Sequence, residues 1–352
     1  MPWYEYAGNL HSHTPYSDGH WTHAQVAHAA AEAGLDFVAV TDHNIWVGGL
    51  EGYYGKALLL VGEEVHDIRR NPQCNHLLIY GAEAEMAPQA GDPQALIDAA
   101  NERGALTFLA HPVERGSPLD PDLAAIPWCD WEHLTGFTGL EIWNYMSEFK
   151  ALLRSRLHAL FYAFFPTRGI RGPFRHTLAM WDALTQQGRR VVAIGGADAH
   201  GTTYRLGPLE RVIFPYIDLF RAVNTHVLLE HPLRQDPEAD KALIYEALRA
   251  GRAWVGYDLI APTRGFRFWA RSGSQAAVMG GDLKRQMGIQ FTAQVPAPAE
   301  IRLLRNGRVV ARTRGRELKA LLVDPGVYRI EAYKSYRGRR CGWIFSNPIY
   351  VW

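Results

Sequence analysis

The stretch VVAIGGADAH, residues 191–200, is an apolar run that ends in an aspartate and a histidine. A short run of β-branched and small apolar residues predicts a strand that is buried on both faces. Asp198 and His200, directly behind this strand, are side chains of the kind that metal ions and proton transfer use. A buried strand with polar chemistry at its end recurs along the chain, and this recurrence decides the predicted fold.

Four further apolar runs end in the same kinds of side chain. The runs YAGNLHSH, FVAVTDH, ALLLVGEE and LTFLAH end in His11 and His13, Asp42 and His43, Glu63 and Glu64, and His111. In a parallel βα barrel the C-terminal ends of all strands meet on one face, where active sites lie. Residues that are far apart in the sequence are therefore expected in one cleft.

Helical segments separate these strands. Residues 22–34 open with the capping-box pattern of Thr22 and Gln25 and stop at Gly34. The other predicted helices are residues 92–104, about 148–163, 175–187 and 236–251. Strands that alternate with helices predict βα units around a mostly parallel sheet, and seven or eight such units predict a closed barrel.

The sequence changes character after about residue 262. Helical periodicity fades and short alternating runs replace it, with Asn306-Gly307 between two of them as a strong hairpin signal. We therefore predict an α/β domain over residues 1–261 and a small antiparallel β module over residues 262–352. The Trp and Arg content of the module allows a partner surface, but we expect a sheet packed against the barrel. The sequence identifies no protein partner for it.

Composition limits the classes of partner and compartment. The 352 residues contain 37 Lys and Arg against 36 Asp and Glu, so nucleic-acid binding has no electrostatic support. The three cysteines, Cys74, Cys129 and Cys341, are scattered and lack CxxC spacing. There is no signal-peptide pattern and no apolar run near the roughly 18 residues of a membrane span, so we expect a cytoplasmic protein that does not contact membranes.

Two features have more than one interpretation. Alternation along a strand places His11 and His13 on one face, which suits a metal ion, although such pairs also occur on ordinary surface strands. His76 stands at the start of its apolar run, NHLLIYG, and not at the end. If His76 joins the cleft, either its strand runs against the others or the chain enters through the preceding loop. Otherwise it is a loop histidine.

The combination of HxH, SDG, TDHN, GEEV, His76, AHP and GGADAH resembles the PHP family, named for polymerase and histidinol phosphatase, over roughly residues 6–257. Within that family, GLEIWN, GGADAH and SNPIYV are most similar to a branch of stand-alone metal-dependent phosphoesterases. The resemblance implies a distorted seven-stranded (β/α) TIM-like barrel with up to three metal ions. The nine ligands that it implies are His11, His13, Asp18, His43, Glu64, His76, His111, Asp198 and His200.

Two positions of this ligand set stay open. Many relatives have a histidine where this chain has Asp18, which affects the occupancy or identity of one ion. GEEV offers two neighbouring glutamates; the spacing in the family favours Glu64, and Glu63 is the alternative. Six imidazoles and three carboxylates without a thiolate suit zinc, manganese or iron, and we expect two or three such divalent ions. A carboxylate such as Glu64 can bridge two of them.

Such a cluster would hold a hydroxide between two ions, aimed at phosphorus, and would neutralise charge in the transition state. We expect Asp198 and His200 to combine ligation with proton transfer, and Asp42 to fix the tautomer of an imidazole. Arg205, five residues after His200, is our candidate for a phosphate clamp, with a surface arginine as the alternative. Two weaker candidates for the cleft are Arg115 and His176.

These features predict a metal-dependent hydrolase that cleaves a small-molecule phosphomonoester or phosphodiester. One alternative is a carboxylic ester or carbamate hydrolase with the same metal cluster, and the ligands alone do not separate the two. A second alternative is a non-catalytic, metal-stabilised scaffold that binds a protein, which the intact ligand set disfavours. The balanced charge also disfavours the DNA-polymerase association known in the wider family.

Overall fold

The computed structural model of the protein describes residues 3–119, 123–206, 209–286 and 288–352, without the side chains of residues 204–206 and 209–211. Strands and helices alternate through the first 257 residues. The strands there are β1 (Tyr4–Asn9), β2 (Phe37–Val40), β3 (Gly52–Tyr54), β4 (Ala57–Val65), β5 (Leu77–Tyr80), β6 (Leu106–Leu109), β7 (Gly139–Asn144), β8 (Val192–Gly196), β9 (Thr203–Leu206), β10 (Leu209–Val212), β11 (Val223–Leu229) and β12 (Ala253–Tyr257). The helices are α1 (His23–Ala33), α2 (Pro93–Glu102), α3 (Tyr145–Lys150), α4 (Arg156–Phe164), α5 (Arg175–Gln186), α6 (Tyr216–Phe220) and α7 (Pro237–Arg249).

The helix boundaries follow the capping residues of the sequence. Thr22 and Gln25 each accept a hydrogen bond from the backbone N–H of the other, so the capping box at the start of α1 is confirmed. Gly34 ends α1 with a φ of 86°, a left-handed conformation that glycine adopts readily. Asp92 and Asp236 cap α2 and α7, and each is followed by a proline. No helix in the described ranges combines the length and the apolar character needed to cross a bilayer.

Seven strands lie side by side in the order β1, β2, β4, β5, β6, β7 and β8. Neighbours are parallel except at β5, which is antiparallel to both β4 and β6. The first residue of β5 directly follows His76. A reversed strand, one of the two explanations for His76 as a member of the cleft, is therefore confirmed, because the start of β5 lies where its neighbours end.

The predicted closed barrel is wrong, because the sheet is open between β8 and β1. Across this gap the described residues have no paired strands but an isolated bridge between Ser12 and Ala199, where the His13 N–H donates to the Ala199 carbonyl and the N–H groups of Asp198 and Ala199 donate to the His11 carbonyl. The free edge of β1 is occupied by β11, which is antiparallel to it. β8 instead contacts β11 through the Thr225 hydroxyl, which donates to the Gly195 carbonyl and accepts from the Gly195 N–H. The result is an α/β fold with a mixed, open sheet.

The C-terminal end of the chain is built from strands alone in the described residues. They are β13 (Arg267–Ser272), β14 (Gln275–Val278), β15 (Asp282–Leu283), β16 (Ile289–Arg305), β17 (Arg308–Leu322), β18 (Gly326–Tyr336), β19 (Arg339–Ser346) and β20 (Ile349–Val351). The hairpin between β16 and β17 is confirmed: Asn306 and Gly307 have φ of 50° and 74° and connect the cross-strand partners Arg305 and Arg308.

The C-terminal strands form a second apolar core, with Trp343 among its fully buried members, and Leu228 of β11 and Trp254 of β12 contribute to it. They are also joined to the α/β part, because β19 pairs antiparallel with β12. The side-chain amide of Asn347 accepts from the Ala193 N–H and donates to the carbonyls of Ala193 and Ala253. The C-terminal strands therefore continue the sheet instead of only packing against it. The domain division at residue 261 stays a prediction.

Candidate metal centre

The carboxylate of Glu64 lies at the centre of the polar strand ends. Glu64 is part of β4 and is fully buried. Its two oxygens contact five imidazoles that come from the ends of four strands, β1, β2, β5 and β6. Oε1 lies 2.9 Å from His76 Nδ1 and 3.1 Å from His111 Nε2, and Oε2 lies 3.0 Å from His11 Nε2, 3.2 Å from His13 Nε2 and 3.3 Å from His43 Nδ1. One buried anion is thus shared by five histidines.

The neighbouring Glu63 points away from this centre. Successive side chains of a strand face opposite sides of the sheet, so only one of the two glutamates can face the imidazoles. The Glu63 carboxylate instead accepts a hydrogen bond of 2.8 Å from the Met86 N–H. Burial raises the pKa of Glu63 to about 7. Of the two glutamates in GEEV, Glu64 is therefore the one that faces the metal centre.

The backbone is strained at two of the predicted ligands. His111 has a φ of 29° and Asp198 a φ of 57°, both in the left-handed region. Such a conformation in a non-glycine residue costs of the order of 1–3 kcal/mol and is concentrated at functional sites. Hydrogen bonds stabilise this conformation at both residues: the Asp198 N–H donates to the His11 carbonyl at 3.0 Å, and the His111 N–H donates to the Glu141 carboxylate at 3.0 Å.

The donor atoms form four overlapping groups, and within each group all of them lie within 4.8 Å of one another. The groups are His11, His13, Glu64 and Asp198; Glu64, His76 and His111; His13, Asp18, His43 and His200; and His43, His66 and His76. Donors that are each about 2.0–2.2 Å from one metal ion lie at most about 4.4 Å apart. The groups are thus close to the size that one ion requires, and all nine predicted ligands belong to at least one of them.

The hydrogen bonding of the imidazoles tests whether these residues suit metal ions. Four buried nitrogens, His13 Nδ1 and Nε2, His43 Nδ1 and His76 Nε2, have no hydrogen-bond partner among the described residues. A buried polar atom without a partner costs about 1–3 kcal/mol. Three such histidines around one buried carboxylate are what a metal site requires, since an ion supplies the missing partner. The residues present therefore fit divalent cations.

Two buried carboxylates dominate the charge of the centre. Burial by itself would raise the pKa of Glu64 and of Asp198, but the neighbouring imidazoles, above all His11, hold both pKa values well below their usual range. Burial also opposes protonation of His11, yet the charges of Glu64 and Asp198 raise its pKa well above the ordinary value. Burial prevails at His43 and lowers its pKa to about 3. The two anions thus require cations, which are imidazolium groups or metal ions.

Glu141 in β7 orients the His11 imidazole and holds the backbone of His111, although the sequence analysis did not identify it. Its Oε1 lies 3.1 Å from His11 Nδ1, and its Oε2 accepts from the His111 N–H at 3.0 Å and from Asn144 Nδ2 at 2.9 Å. A carboxylate behind an imidazole fixes the tautomer that leaves the other nitrogen free for a metal ion. The available signal was a single acidic residue inside the apolar strand GLEIWN.

Asp42 does not have the predicted role of fixing an imidazole of the centre. Its carboxylate accepts from the Thr14 N–H at 2.7 Å, from the Thr14 hydroxyl at 2.6 Å and from the Ser17 hydroxyl at 2.6 Å. The imidazole nitrogen near it, His23 Nε2, lies 3.9 Å away and belongs to none of the four donor groups. These hydrogen bonds satisfy the Asp42 carboxylate, which therefore fixes the loop that leads to Asp18.

His66 lies with the predicted ligands but was absent from the prediction. Its ring stacks on that of His76 with 4.1 Å between centroids and meets the His43 ring edge-on at 5.1 Å. Burial lowers the pKa of His66 to about 4, so its imidazole is neutral near pH 7. The signal in the sequence was the spacing, because a residue two positions after Glu64 lies on the same side of the extended chain.

The centre is closed on one side and open on the other. The side chains of His11 and Glu64 are fully buried, whereas His43 and His200 are each 22% exposed and Asp18 is 56% exposed. Asp18 Oδ1 lies 3.2 Å from His200 Nε2 and 3.8 Å from His43 Nε2. The aspartate at this position therefore still completes a donor group, and this group is the one that is partly exposed to solvent.

The predicted phosphate clamp lies in β9, but the side chain of Arg205 is outside the described part of the chain. Arg115 is exposed, with its guanidinium 5.1 Å from the centroid of the Phe174 ring. Phe174 and His111 line the same small cavity, so Arg115 lies at the edge of the centre. His176 is exposed on α5 and is not among the residues that line this cavity.

Residues 9–148 match the PHP domain model, which confirms the family resemblance for this part of the chain. The matched range contains seven of the nine predicted ligands, and Asp198 and His200 lie beyond it. No curated protein sequence matches the chain. Together with the donor groups, the domain match supports a site for divalent metal ions.

Solved structures of low sequence identity are also similar to the chain. A two-domain protein from Bacteroides vulgatus, described as containing a predicted PHP-like metal-dependent phosphoesterase, is 15% identical, with a TM-score of 0.43 over 98% of this chain and 95% of its own. An inferred metal-dependent phosphoesterase from Bifidobacterium adolescentis is 15% identical, with a TM-score of 0.36 over 55% of this chain and 87% of its own. An amidohydrolase from Chromobacterium violaceum with bound sulfate and no metal is 16% identical, with a TM-score of 0.31 over 55% of this chain and 87% of its own.

Proposed function

We propose that the protein is a metal-dependent hydrolase that cleaves a phosphomonoester or phosphodiester of a small molecule. The observation that carries the proposal is the position of Glu64, whose two carboxylate oxygens contact five imidazoles and belong to two donor groups at once. A carboxylate shared in this way could hold two cations next to each other, one in each donor group. The PHP domain match over residues 9–148 supports the same class of enzyme.

Zinc, manganese or iron ions held by these residues would supply an activated hydroxide and would neutralise the charge that develops on the phosphoryl oxygens. The chain contributes the arrangement of the donors. Glu141 on one side and the Ile126 carbonyl on the other accept hydrogen bonds from His11 Nδ1 and His111 Nδ1, both at 3.1 Å. With their protons on Nδ1, both imidazoles direct the lone pair of Nε2 toward Glu64 and the ions beside it.

Asp198 and His200 are our candidates for proton transfer. His200 Nδ1 lies 2.9 Å from the Asp198 carbonyl oxygen, which fixes the Nδ1–H tautomer and leaves Nε2 at the open side of the centre. Nε2 can transfer a proton to a leaving oxygen only when the imidazole is doubly protonated and no ion is bound to Nε2. Arg205, in the strand that follows, is the proposed partner of the phosphate oxygens.

A substrate panel tests the proposal. The protein is stripped with a chelator, reloaded singly with Mn²⁺, Zn²⁺ or Fe²⁺, and assayed with p-nitrophenyl phosphate, bis(p-nitrophenyl) phosphate and p-nitrophenyl acetate, with elemental analysis of each sample. We expect hydrolysis of a phosphoester that depends on the added ion. Preference for the acetate would favour the carboxylic ester alternative, and metal-loaded protein without any hydrolysis would favour the scaffold.

The proposal also includes the partner and the compartment. A donor group with only one open side supports a small substrate, because a small terminal phosphoester reaches the centre more easily than a bulky polymer. The chain as a whole carries a formal net charge of +1, which gives no support to a nucleic-acid partner. We propose a cytoplasmic enzyme, in line with three unpaired cysteines.

A further inference from the structure

A second cavity, of about 520 Å³, lies between α5 and the strands β16, β18 and β19. None of the nine predicted metal ligands lines this cavity, whereas many of the residues that line it are arginines. The arginines are Arg171, Arg175, Arg302, Arg308, Arg329 and Arg340. Asp182 and Glu331 are the acidic residues among the lining residues described. Cavities of 300–1,000 Å³ are the usual size for small-molecule ligands.

Arg329 forms the buried part of this cavity. It is 3% exposed and makes two hydrogen bonds of 2.7 Å to Asp182 and one of 2.8 Å to Glu331. A guanidinium has five N–H groups, so two N–H groups remain after these three bonds. The ion pairs fix the guanidinium plane in the wall of the cavity.

The rim of the cavity carries positive charge without matching carboxylates. Arg302 and Arg340 share one acid, Glu300. Arg171, Arg175 and Arg308 have no ion pair within 4.0 Å in the described part of the chain. Six arginines against three carboxylates, Asp182, Glu300 and Glu331, leave three positive charges around one cavity. The whole chain has a net charge of only +1, so this surplus is local.

Arg171 and Arg175 belong to a basic segment of the sequence whose other basic residues do not line the cavity. Residues 149–181 contain six Lys and Arg and no Asp or Glu. The start of α5 lies in this segment, and its N-cap Phe174 provides no side-chain hydrogen bond to the first turn. The N–H groups of that turn and the helix dipole add to the attraction for an anion, although they are secondary to the arginines.

We propose that this arginine-lined cavity binds a small polyanion, a molecule with two or more phosphate or carboxylate groups, at a site separate from the metal centre. Three surplus charges exceed what a single monoanion balances, and a guanidinium pairs bidentately with either group. The volume suits a molecule larger than one phosphate ion. Gly172 and Pro173 line both this cavity and the small cavity beside His111, so a short backbone segment forms the wall between the two sites.

Binding is tested on metal-free protein, so that the result does not depend on the proposed hydrolase activity. Chelator-treated protein is titrated calorimetrically with inorganic pyrophosphate, tripolyphosphate, citrate and orthophosphate. We expect the polyanions to bind at least tenfold more tightly than orthophosphate, in the micromolar range. Phosphate and carboxylate ligands are distinguished by the comparison of tripolyphosphate with citrate. No binding of any polyanion at millimolar concentration would overturn the proposal.

Exposed arginines provide matched variants for the same titration. Arg175→Gln and Arg308→Gln remove charges at the rim, and each should weaken polyanion binding about 10-fold or more. Arg271→Gln removes an exposed arginine of β13 that does not line the cavity, and binding should be unchanged. Equal loss in all three variants would show unspecific charge attraction and contradict a site. Tighter binding in Glu64→Gln, which removes a negative charge from the metal centre, would place the anion at that centre and would also contradict the proposal.

Discussion

The imidazole of His11 lies between two buried carboxylates, with Nε2 3.0 Å from Glu64 and Nδ1 3.1 Å from Glu141. Glu64 faces the donor groups, and Glu141 lies behind the imidazole and belongs to none of them. The hydrogen bond to Glu141 therefore fixes the orientation of the His11 ring, and with it the position of Nε2 beside Glu64. The metal centre therefore depends on a residue that cannot itself bind the ions in this arrangement.

We expect Glu141→Gln to weaken metal binding without removing a ligand. In the wild-type protein the two carboxylate oxygens accept hydrogen bonds from His11, the His111 N–H and Asn144. The amide keeps the size of the side chain but replaces one of these two acceptors by an NH₂ group. Loss of such a supporting carboxylate typically lowers metal affinity about 10–100-fold. Competition with a chromophoric chelator measures this change. Unaltered affinity would show that the tautomer of His11 is fixed by other means.

The adjacent glutamates of β4 give a matched pair of variants. We expect Glu64→Gln to lose most bound metal and to lower activity by more than about 100-fold, because the shared carboxylate is replaced by a neutral amide. Glu63→Gln should keep its metal, since Glu63 faces the Met86 N–H and the amide oxygen can still accept that bond. Elemental analysis and the phosphoester assay check both variants. Similar metal content in the two proteins would contradict the central position of Glu64.

Arg205→Ala tests the proposed clamp on the phosphate. Loss of a charge-assisted hydrogen bond of about 1.5–3 kcal/mol corresponds to a fall of roughly 10–100-fold in kcat/KM for phosphoesters. Hydrolysis of an uncharged ester by the same variant should change much less, because no phosphate is held. Steady-state kinetics with both substrates make the comparison. Unchanged kinetics with the phosphoester would remove Arg205 from the site.

His226 should make the stability of the protein depend on pH. Burial opposes protonation of His226, but Asp258 and Glu5, at 3.0 and 3.3 Å, raise its pKa from 6.5 to about 9. A raised pKa contributes stability that is complete below pH 6.5 and is lost as the pH rises through about 9. The shift corresponds to about 3 kcal/mol at most. The interaction also holds together β1, β11 and the segment after β12.

Urea unfolding of wild type and His226→Gln at pH 6 and pH 9 measures this contribution. Imidazoles of the metal centre such as His13 and His111, whose pKa values are raised to about 9 in the absence of ions, titrate in the same window. The informative quantity is therefore the difference between the two proteins, which should be large at pH 6 and small at pH 9. A difference independent of pH would indicate that His226 acts through packing on Trp254 alone.

The local features of the fold could be read from the sequence because each depends on few neighbouring residues. The capping box of Thr22, the Asn306-Gly307 hairpin and the polar residues behind each strand are of this kind. The open sheet could not be predicted. It results from the pairing of β1 with β11, where Gly8 opposes Thr225, and a pairing over such a sequence distance leaves no local pattern. For the same reason, the antiparallel direction of β5 could be predicted only as one of two explanations for the position of His76.

The same distinction applies to the site. Residues that stand alone at strand ends were identified, whereas Glu141 and His66 were not. Glu141 lies inside β7. Its hydrogen-bond partners, His11 and the His111 N–H, belong to the ends of other strands and are known only once the strands are placed side by side. His66 follows the GEEV motif without being part of it, and its role emerges from the ring of His76, which belongs to another strand end. Both omissions concern contacts between strands.

The hydrogen bonds of Asn347 limit how the protein can be shortened. Its amide satisfies the backbone of Ala193 in β8, and β19 covers the edge of β12. A fragment that stops at residue 261 would leave both strands with bare donors and acceptors, and such edges recruit other chains into aggregates. Residues 262–352 thus cover polar groups of the α/β part that would otherwise be exposed, and a shortened protein must retain these residues or replace the hydrogen bonds they supply.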